Sequence, residues 1–229
     1  MTLQEQIDDV IKNFLANTPK EQTEPLFSAI EELVEINVGQ DAPGVGDKAP
    51  DFTLDTVDGG SVTLSQQLAA GPVLLSFFRG GWCPFCDLEF QAMSRAMPQL
   101  IEKGISFIAI SPEKVDNELS ESFPTIARVM ENNGIRSVSV CSDVDNRVAD
   151  IYKLVFNLVE GVQKVYMEFG FDLSKINNDP SWTLPVPATF VIDLDGVVRW
   201  SYVNADYTKR LDSTDILDAI EGCITANVE

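Results

Sequence analysis

The chain has 229 residues, of which 45% are hydrophobic and 23% are charged, which is the balance of a globular protein that can bury a full core. It carries 16 basic and 36 acidic side chains, a net charge of −20, so nucleic acid and anionic membrane surfaces are unfavourable partners. Histidine is absent, which excludes Ser-His-Asp triads, Cys–His pairs and histidine zinc sites. Thiols, carboxylates, arginine, lysine and hydroxyls remain to carry any chemistry.

Two amphipathic helices open the chain. Leu3, Ile7 and Phe14 fall on one helical face, and Phe27 and Ile30 fall on another after a Thr-Pro pair. The turn-rich segment that follows, up to residue 46, predicts a linker. We therefore expect residues 1–45 to form an N-terminal helical extension, which packs on the main domain or against a second subunit; the second alternative predicts a homodimer.

An alternation of strands and helices begins after the linker and predicts one α/β domain over residues 46–229. Its predicted strands are 52–54, 61–64, 72–78, 105–110, 138–141, 189–193 and 197–202, and its predicted helices begin near 83, 114, 146 and 213. The helix from 114 is expected to extend to 132. Residues 155–185 break this rhythm, so we expect an insertion there that serves as a lid, an interface or a connection without a role.

Residues 79–86, with the sequence RGGWCPFC, carry the main chemical motif. Cys83 and Cys86 are three residues apart at the start of a predicted helix, where backbone N–H groups stabilise a thiolate. This spacing indicates a redox pair. Arg79 is the nearest cation in the sequence and is expected to stabilise the thiolate and polarise a substrate. The alternative is that Arg79 pairs with Asp87 or Glu89.

Three segments in order resemble the AhpC/TSA family of peroxiredoxins. They are the opening VGDKAPDFTL at 45–54, the loop FFRGGWCPFC at 77–86 and the late hairpin PATFVIDLDG at 187–196. The group most similar to this chain carries the sequence GGWCPxC. The resemblance implies a thioredoxin-like fold, with a central mixed β-sheet flanked by helices.

The resemblance implies two ways of assigning the thiols. Aligned with peroxiredoxins, Cys86 takes the peroxidatic position, Cys83 replaces a Thr or Ser, Arg79 replaces a Pro, and Pro187 replaces an Arg. Aligned with thioredoxins, Cys83 is the nucleophile and Cys86 the resolving thiol. The Val186–Pro187 bond is then expected to be cis and to face the thiols.

The expected substrate pocket comprises Trp82, Pro84, Phe85, Val186 and Pro187. The expected activity is thiol-dependent reduction of hydrogen peroxide or small organic hydroperoxides, with a Cys83–Cys86 disulfide recycled by a thioredoxin-type donor. The alternatives are a thiol–disulfide oxidoreductase without fast peroxide chemistry, and a redox sensor. No metal is expected, since a zinc site without histidine would need all four cysteines, two of them far along the chain from the pair. No nucleotide or flavin is expected, since the chain lacks a glycine-rich phosphate loop.

The remaining features concern location and the other two thiols. The chain has neither a signal-peptide pattern nor an apolar run near the ~18 residues of a membrane helix. We therefore expect a cytoplasmic protein without membrane contact. Cys141 lies in an apolar strand and Cys223 in the last helix, which favours buried structural thiols for both.

Overall fold

The computed structural model describes residues 1–115 and 138–225. Its helices are α1 Leu3–Asn17, α2 Lys20–Glu35, α3 Leu64–Leu68, α4 Pro84–Glu102, α5 Arg147–Ile151, α6 Glu160–Glu168, α7 Leu173–Ile176 and α8 Ser213–Thr225. Its strands are β1 Thr53–Thr56, β2 Ser61–Thr63, β3 Val73–Phe77, β4 Ser106–Ser111, β5 Val138–Ser142, β6 Val155–Asn157, β7 Thr183–Pro185, β8 Ala188–Ile192 and β9 Val198–Val203. The helix expected over 114–132 lies, apart from its first two residues, outside the described part of the chain.

A seven-stranded mixed sheet forms the centre of the fold, with the order β2-β1-β5-β4-β3-β8-β9. Strands β3, β4 and β5 are parallel, and β8 pairs antiparallel with β3. The predicted mixed sheet flanked by helices is confirmed. Because β3 has neighbours on both sides and helices on both faces, all five of its residues are buried, as its continuous apolar sequence predicts.

The site motif lies where β3 ends and α4 begins. Pro84 occupies the first turn of α4, a position where its missing N–H costs no hydrogen bond. The inner face of α4 buries Phe90, Met93 and Met97 against the sheet. The thiols are thus held between a buried strand and a buried helix, which restricts their movement.

The N-terminal helices pack onto this domain. Thr2 caps α1 through a capping box with Glu5, and the buried side chains of Leu3 and Ile7 contact Ala92 of α4. The Leu3 N–H also donates to the Asp212 carboxylate at 2.9 Å. Helix α2 packs against α6, so α2 contacts the 155–185 segment, whereas α1 packs on α4.

The 155–185 segment contains regular structure of its own. Strands β6 and β7 pair antiparallel as a separate two-stranded sheet, and α6 and α7 lie between them. Helix α6 buries Val162, Val165 and Tyr166. Within the described residues, the helices are too short or too polar to cross a membrane.

Candidate active site

The loop from Phe78 to Cys83 turns sharply before α4. Gly80 has a φ of +143°, and a Cβ built there would lie 2.3 Å from the Trp82 indole nitrogen. This close approach requires glycine at position 80. The Cys83 N–H donates to the Gly80 carbonyl at 3.2 Å, and Cys83 is the N-cap residue of α4. The first thiol therefore sits at the positive end of a long helix.

Each thiol has its own arginine. Nη1 of Arg79 is 3.7 Å from the Cys83 sulfur, and Nη2 of Arg210 is 3.4 Å from the Cys86 sulfur. All four side chains are buried, and the thiols are free. Arg79 is the nearest cation in the sequence, but in space the loop before α8 brings a second, Arg210, to the pair.

The two thiols have opposite shifts in pKa. Burial opposes ionisation of Cys83, but a hydrogen bond with the Cys86 thiol and the charges of Arg79 and Arg210 outweigh it, so the pKa of Cys83 lies well below its ordinary value. Burial, that same hydrogen bond and the charge on Cys83 raise the pKa of Cys86 well above its ordinary value. The arrangement favours a Cys83 thiolate beside a protonated Cys86.

Arg79 is held among aromatic rings. Its Nη2 donates to the Tyr166 hydroxyl at 2.5 Å, and its guanidinium carbon lies 3.8 Å from the centre of the Tyr207 ring and 5.1 Å from that of Trp82. Cation–π contacts of this kind are strongest where water is excluded. These contacts hold Arg79 with its Nη1 toward the Cys83 sulfur.

Glu89 forms its ion pair with Arg210. Nη1 of Arg210 lies 2.5 Å from the Glu89 carboxylate, and both side chains are buried. Burial raises the pKa of Glu89, and Arg210 opposes the rise. Of the two partners that the alternative gave Arg79, Asp87 and Glu89, Glu89 therefore pairs with Arg210 instead, so that half of the alternative is wrong.

A second buried carboxyl, that of Glu113, lies beneath the loop. Glu113, just after β4, accepts a hydrogen bond from the Gly81 N–H at 2.8 Å. Burial raises its pKa to about 7, with the Gly81 hydrogen bond opposing and the charge of Cys83 adding to the rise. Glu113 can therefore hold or release a proton near neutral pH, next to the thiol that ionises.

An apolar cavity of about 390 Å³ adjoins this loop. Three residues of the expected substrate pocket line it: Trp82, Pro84 and Phe85. Val186 and Pro187 do not line it; both are buried, and the Val186 N–H donates to the Leu154 carbonyl. The Val186–Pro187 bond is trans, so the prediction of a cis bond is wrong. The cis bond was an argument for assigning the thiols as in thioredoxins, and that argument is lost.

The model of the AhpC/TSA family matches residues 45–201, which include the β3–α4 loop with both thiols. The chain belongs to the AhpC/TSA family. A comparison with curated protein sequences finds no match.

Solved structures share the fold of this AhpC/TSA protein. A yeast mitochondrial 1-Cys peroxiredoxin is 20% identical, with a TM-score of 0.58, over 80% of this chain and 77% of that one. Peroxidoxin BcpB from Mycobacterium tuberculosis is 21% identical, with a TM-score of 0.56, over 79% and 97%. Peroxiredoxin 6 of Arenicola marina is 16% identical, with a TM-score of 0.62, over 81% and 75%. At these identities the likeness establishes the thioredoxin-type fold.

The structure of the AhpC/TSA protein describes one further cysteine side chain, that of Cys141. Cys141 is buried in β5, and burial raises its pKa to about 12, with the charges of Asp58 and Asp143 adding to the rise. Cys141 is buried, as predicted, and its raised pKa disfavours the reactive thiolate. The side chain of Cys223 lies outside the described residues.

Sequence reasoning missed three side chains of the site: Tyr166, Arg210 and Glu113. Arg210 lies 124 residues after Cys86, and its only local signal is a charged position in a loop. Tyr166 belongs to the 155–185 segment. Its place on an amphipathic helix predicts that the side chain is buried, but not which residue it contacts. Glu113 directly follows a buried strand, and this placement at the carboxyl end of a parallel strand is a signal that could have found it.

Proposed function

We propose that this AhpC/TSA protein is a thiol peroxidase in which Cys83 is the nucleophile. The observation that carries the proposal is a pair of neighbouring thiols beside two buried arginines, in which the arginine charges favour ionisation of Cys83. Burial and the charge on Cys83 keep the proton on Cys86. The family membership supports the same reaction class.

The first step is attack of the Cys83 thiolate on the outer oxygen of a hydroperoxide. A sulfur–oxygen bond forms and the oxygen–oxygen bond breaks, so the sulfur is oxidised to sulfenic acid and the peroxide is reduced. The leaving oxygen develops negative charge, which the Arg79 guanidinium can stabilise. It also takes up a proton, and Glu113, with a pKa of about 7, is a buried carboxyl that can supply one.

The second step is attack of Cys86 on the Cys83 sulfur, which forms a disulfide and releases water. Reduced Cys86 is held protonated partly by the charge on Cys83. Oxidation of Cys83 removes that charge, while Arg210 still favours the Cys86 thiolate. The pKa of the Cys86 thiol therefore falls at the step in which Cys86 acts as the nucleophile. A thioredoxin-type dithiol would return two electrons and regenerate both thiols.

The test is stopped-flow oxidation of the reduced protein by hydrogen peroxide, followed by intact mass. We expect Cys86→Ser to form a sulfenic acid on Cys83 much faster than a free thiol does, and Cys83→Ser to react at the free-thiol rate. Cys141→Ser is the matched control and should behave as wild type. Fast sulfenic acid formation in Cys83→Ser would reverse the roles, and free-thiol rates in every variant would refute peroxidase activity.

A second candidate is a thiol–disulfide oxidoreductase. Its specific support is that the ionised thiol is the first of the pair, at the N-cap of α4, which is the sulfur placed to attack a disulfide. It predicts free-thiol rates with peroxide but fast exchange with a protein disulfide. A redox sensor would instead be oxidised without sustained turnover when a donor is added.

Several expectations stay predictions. They are the division into an extension (1–45), a main domain (46–229) and an insertion (155–185), the homodimer, the cytoplasmic location and the thioredoxin-type donor. Gel filtration and donor-coupled turnover would test the homodimer and the donor.

A further inference from the structure

The two arginines beside the thiols differ in what holds them. Arg210 forms an ion pair with the Glu89 carboxylate, and both side chains are buried. Among the residues that the structure describes, Arg79 has no carboxylate partner, and the ionisable groups around it are two tyrosines and the two thiols. Arg79 is only 2% exposed. Because a buried charge is costly unless it is hydrogen-bonded, the groups that hold Arg79 determine how it can act.

The aromatic rings beside Arg79 hold its guanidinium group without orienting it. The guanidinium carbon lies 3.8 Å from the centre of the Tyr207 ring and 5.1 Å from that of the Trp82 ring. A ring face attracts the cation as a whole and does not select one of its N–H groups. A directional contact is therefore needed to decide which nitrogen faces Cys83.

The Tyr166 hydroxyl supplies that directional contact. It accepts a hydrogen bond from Nη2 of Arg79, while Nη1 of the same group lies 3.7 Å from the Cys83 sulfur. The guanidinium group is a rigid planar fork, so a bond that fixes one terminal nitrogen also fixes the other. Within the described part of the chain, the Nε of Arg79 has no hydrogen-bond partner, which leaves Tyr166 and Cys83 as the groups that orient the fork.

Tyr166 holds Arg79 without cancelling its charge. Burial raises the pKa of the Tyr166 hydroxyl, so this hydroxyl is neutral at neutral pH. The full positive charge of Arg79 then acts on the Cys83 sulfur. At Cys86, by contrast, the charge of Glu89 opposes that of the second arginine. The neutral partner of one arginine and the charged partner of the other thus make the two thiols unequal.

Tyr166 is itself held in place from several sides. Its side chain is only 6% exposed, and its ring lies edge to face against the Trp82 ring, with the two centres 5.4 Å apart. Its helix, α6, packs against α2, where Gln22 donates to the Glu168 carboxylate at 2.9 Å. Helix α2 and the 155–185 segment thereby hold the hydroxyl that orients the guanidinium group.

We propose that Tyr166 is a positioning residue that decides which of the two thiols ionises, because it turns the charge of Arg79 toward Cys83. The proposal rests on the peroxidase function above, since it concerns the nucleophile of that reaction. It also gives the 155–185 segment a role, because this segment carries the hydroxyl to the redox loop.

The ionisation of Cys83 responds to charged and titratable groups on several elements. Within the described residues they are, besides Arg79, Cys86 and Glu89 of α4, Glu113 after β4, Tyr166 of α6, and Tyr207 and Arg210 of the segment before α8. A suitable variant changes the position of Arg79 while these charges stay the same. Tyr166→Phe does so, because it removes a neutral hydroxyl and keeps the ring.

The experiment measures the acid dissociation constant of Cys83 from thiolate ultraviolet absorbance, in the reduced protein and without peroxide. The transition that is missing in Cys83→Ser identifies the Cys83 signal. We expect the constant to fall about tenfold in Tyr166→Phe, since an adjacent cation shifts the pKa of an acid by about 1 or more. In Arg79→Met the fall should be at least as large. In the double variant it should equal that of Arg79→Met, because Tyr166 acts through Arg79.

The matched control is Tyr152→Phe. Tyr152 is also buried, and its hydroxyl donates to the Pro50 carbonyl at 2.9 Å, so this variant loses a buried tyrosine hydroxyl that bonds elsewhere. Its Cys83 constant should equal that of wild type, even if its stability falls as much as that of Tyr166→Phe. The proposal would be overturned by a wild-type constant in a folded Tyr166→Phe protein or by an equal fall in Tyr152→Phe. An undiminished effect of Tyr166→Phe in the Arg79→Met background would overturn it as well.

A second variant tests the same charge argument from the other arginine. Glu89→Gln removes the carboxylate charge that opposes Arg210 and keeps an oxygen that can accept from it, so the constant of the first thiol to ionise should rise. A constant that falls or stays the same would overturn the charge argument and the proposal with it. These measurements use no peroxide, so their outcomes are separate from that of the peroxidase test. Free-thiol rates with peroxide, found together with the expected shifts, would refute the peroxidase function and leave the action of Tyr166 on the thiols standing.

Discussion

Removal of the Arg210 side chain should destabilise the protein in a way that depends on pH. In Arg210→Met, Glu89 loses its partner while it remains buried, with only 5% of its side chain exposed. Loss of one partner from a buried ion pair costs about 3–5 kcal/mol when the other must stay charged. Glu89 can avoid part of this cost by taking up a proton.

Protonation sets an upper limit to the electrostatic loss. Neutralising a carboxyl whose unfolded pKa is about 4.3 costs about 3.7 kcal/mol at pH 7 and about 1 kcal/mol at pH 5. In the variant, the folded pKa of Glu89 rises further above its unfolded value. Folded protein then binds more protons than unfolded protein between these pKa values, so stability falls as pH rises through that window.

The assay is urea unfolding of wild type and Arg210→Met at pH 5 and pH 7. We expect the difference in unfolding free energy to grow by about 2 kcal/mol or more between the two pH values. The control is Lys175→Met, since Lys175 is 82% exposed in its pair with Asp172 and its loss should cost about 1 kcal/mol or less. An Arg210→Met loss that matches this control, or that is the same at both pH values, would refute the reasoning.

Three further predictions concern the redox loop. Gly80→Ala places a Cβ against the Trp82 indole and should lower the free energy of unfolding, measured in urea, by about 2 kcal/mol or more. It should also slow the oxidation of Cys83 measured by stopped flow. Glu113→Gln removes a carboxyl whose pKa is about 7, so the pKa of Cys83, followed by thiolate ultraviolet absorbance, should fall, and an inflection near pH 7 in the oxidation rate should disappear. Cys141→Ser should leave formation of the Cys83–Cys86 disulfide unchanged, as intact mass after one equivalent of peroxide would show.

Each of these three predictions has an outcome that would contradict it. Gly46 has a φ of +96° but open space around its Cβ position, so Gly46→Ala carries backbone strain without a clash; equal losses in the two alanine variants would remove the close-approach argument. An unaltered pH profile in Glu113→Gln would show that Glu113 does not act on the thiol. Loss of the disulfide in Cys141→Ser would make Cys141 the resolving thiol.

Local patterns in the sequence were sufficient for the architecture. The continuous apolar run of β3 predicts a central strand, and the alternation of strands and helices predicts an α/β domain. The resemblance to the AhpC/TSA family implied that the sheet is mixed. The capped, amphipathic α1 was equally readable, because its apolar residues recur at helical spacing. Such features depend on neighbours in the chain, and local spacing records them.

The redox pair is likewise a local feature, and its place at the start of α4 follows from sequence. The order of reactivity within the pair does not. It depends on Arg79 and Arg210, and Arg210 comes from a loop 124 residues after Cys86. The trans bond before Pro187 shows the converse, a site feature inferred from resemblance that the structure does not have.

The sequence by itself thus determined the family, the sheet and the thiol pair, since each is written in spacing along the chain. Only the tertiary structure decided which thiol ionises and which residues and cavity surround it. Both depend on burial and on charges brought together from distant segments: Arg79 with Tyr166, Arg210 with Glu89, and the cavity between α1, α2 and the redox loop. Electrostatic energies in a dry interior depend on distances in space, which spacing along the chain does not record.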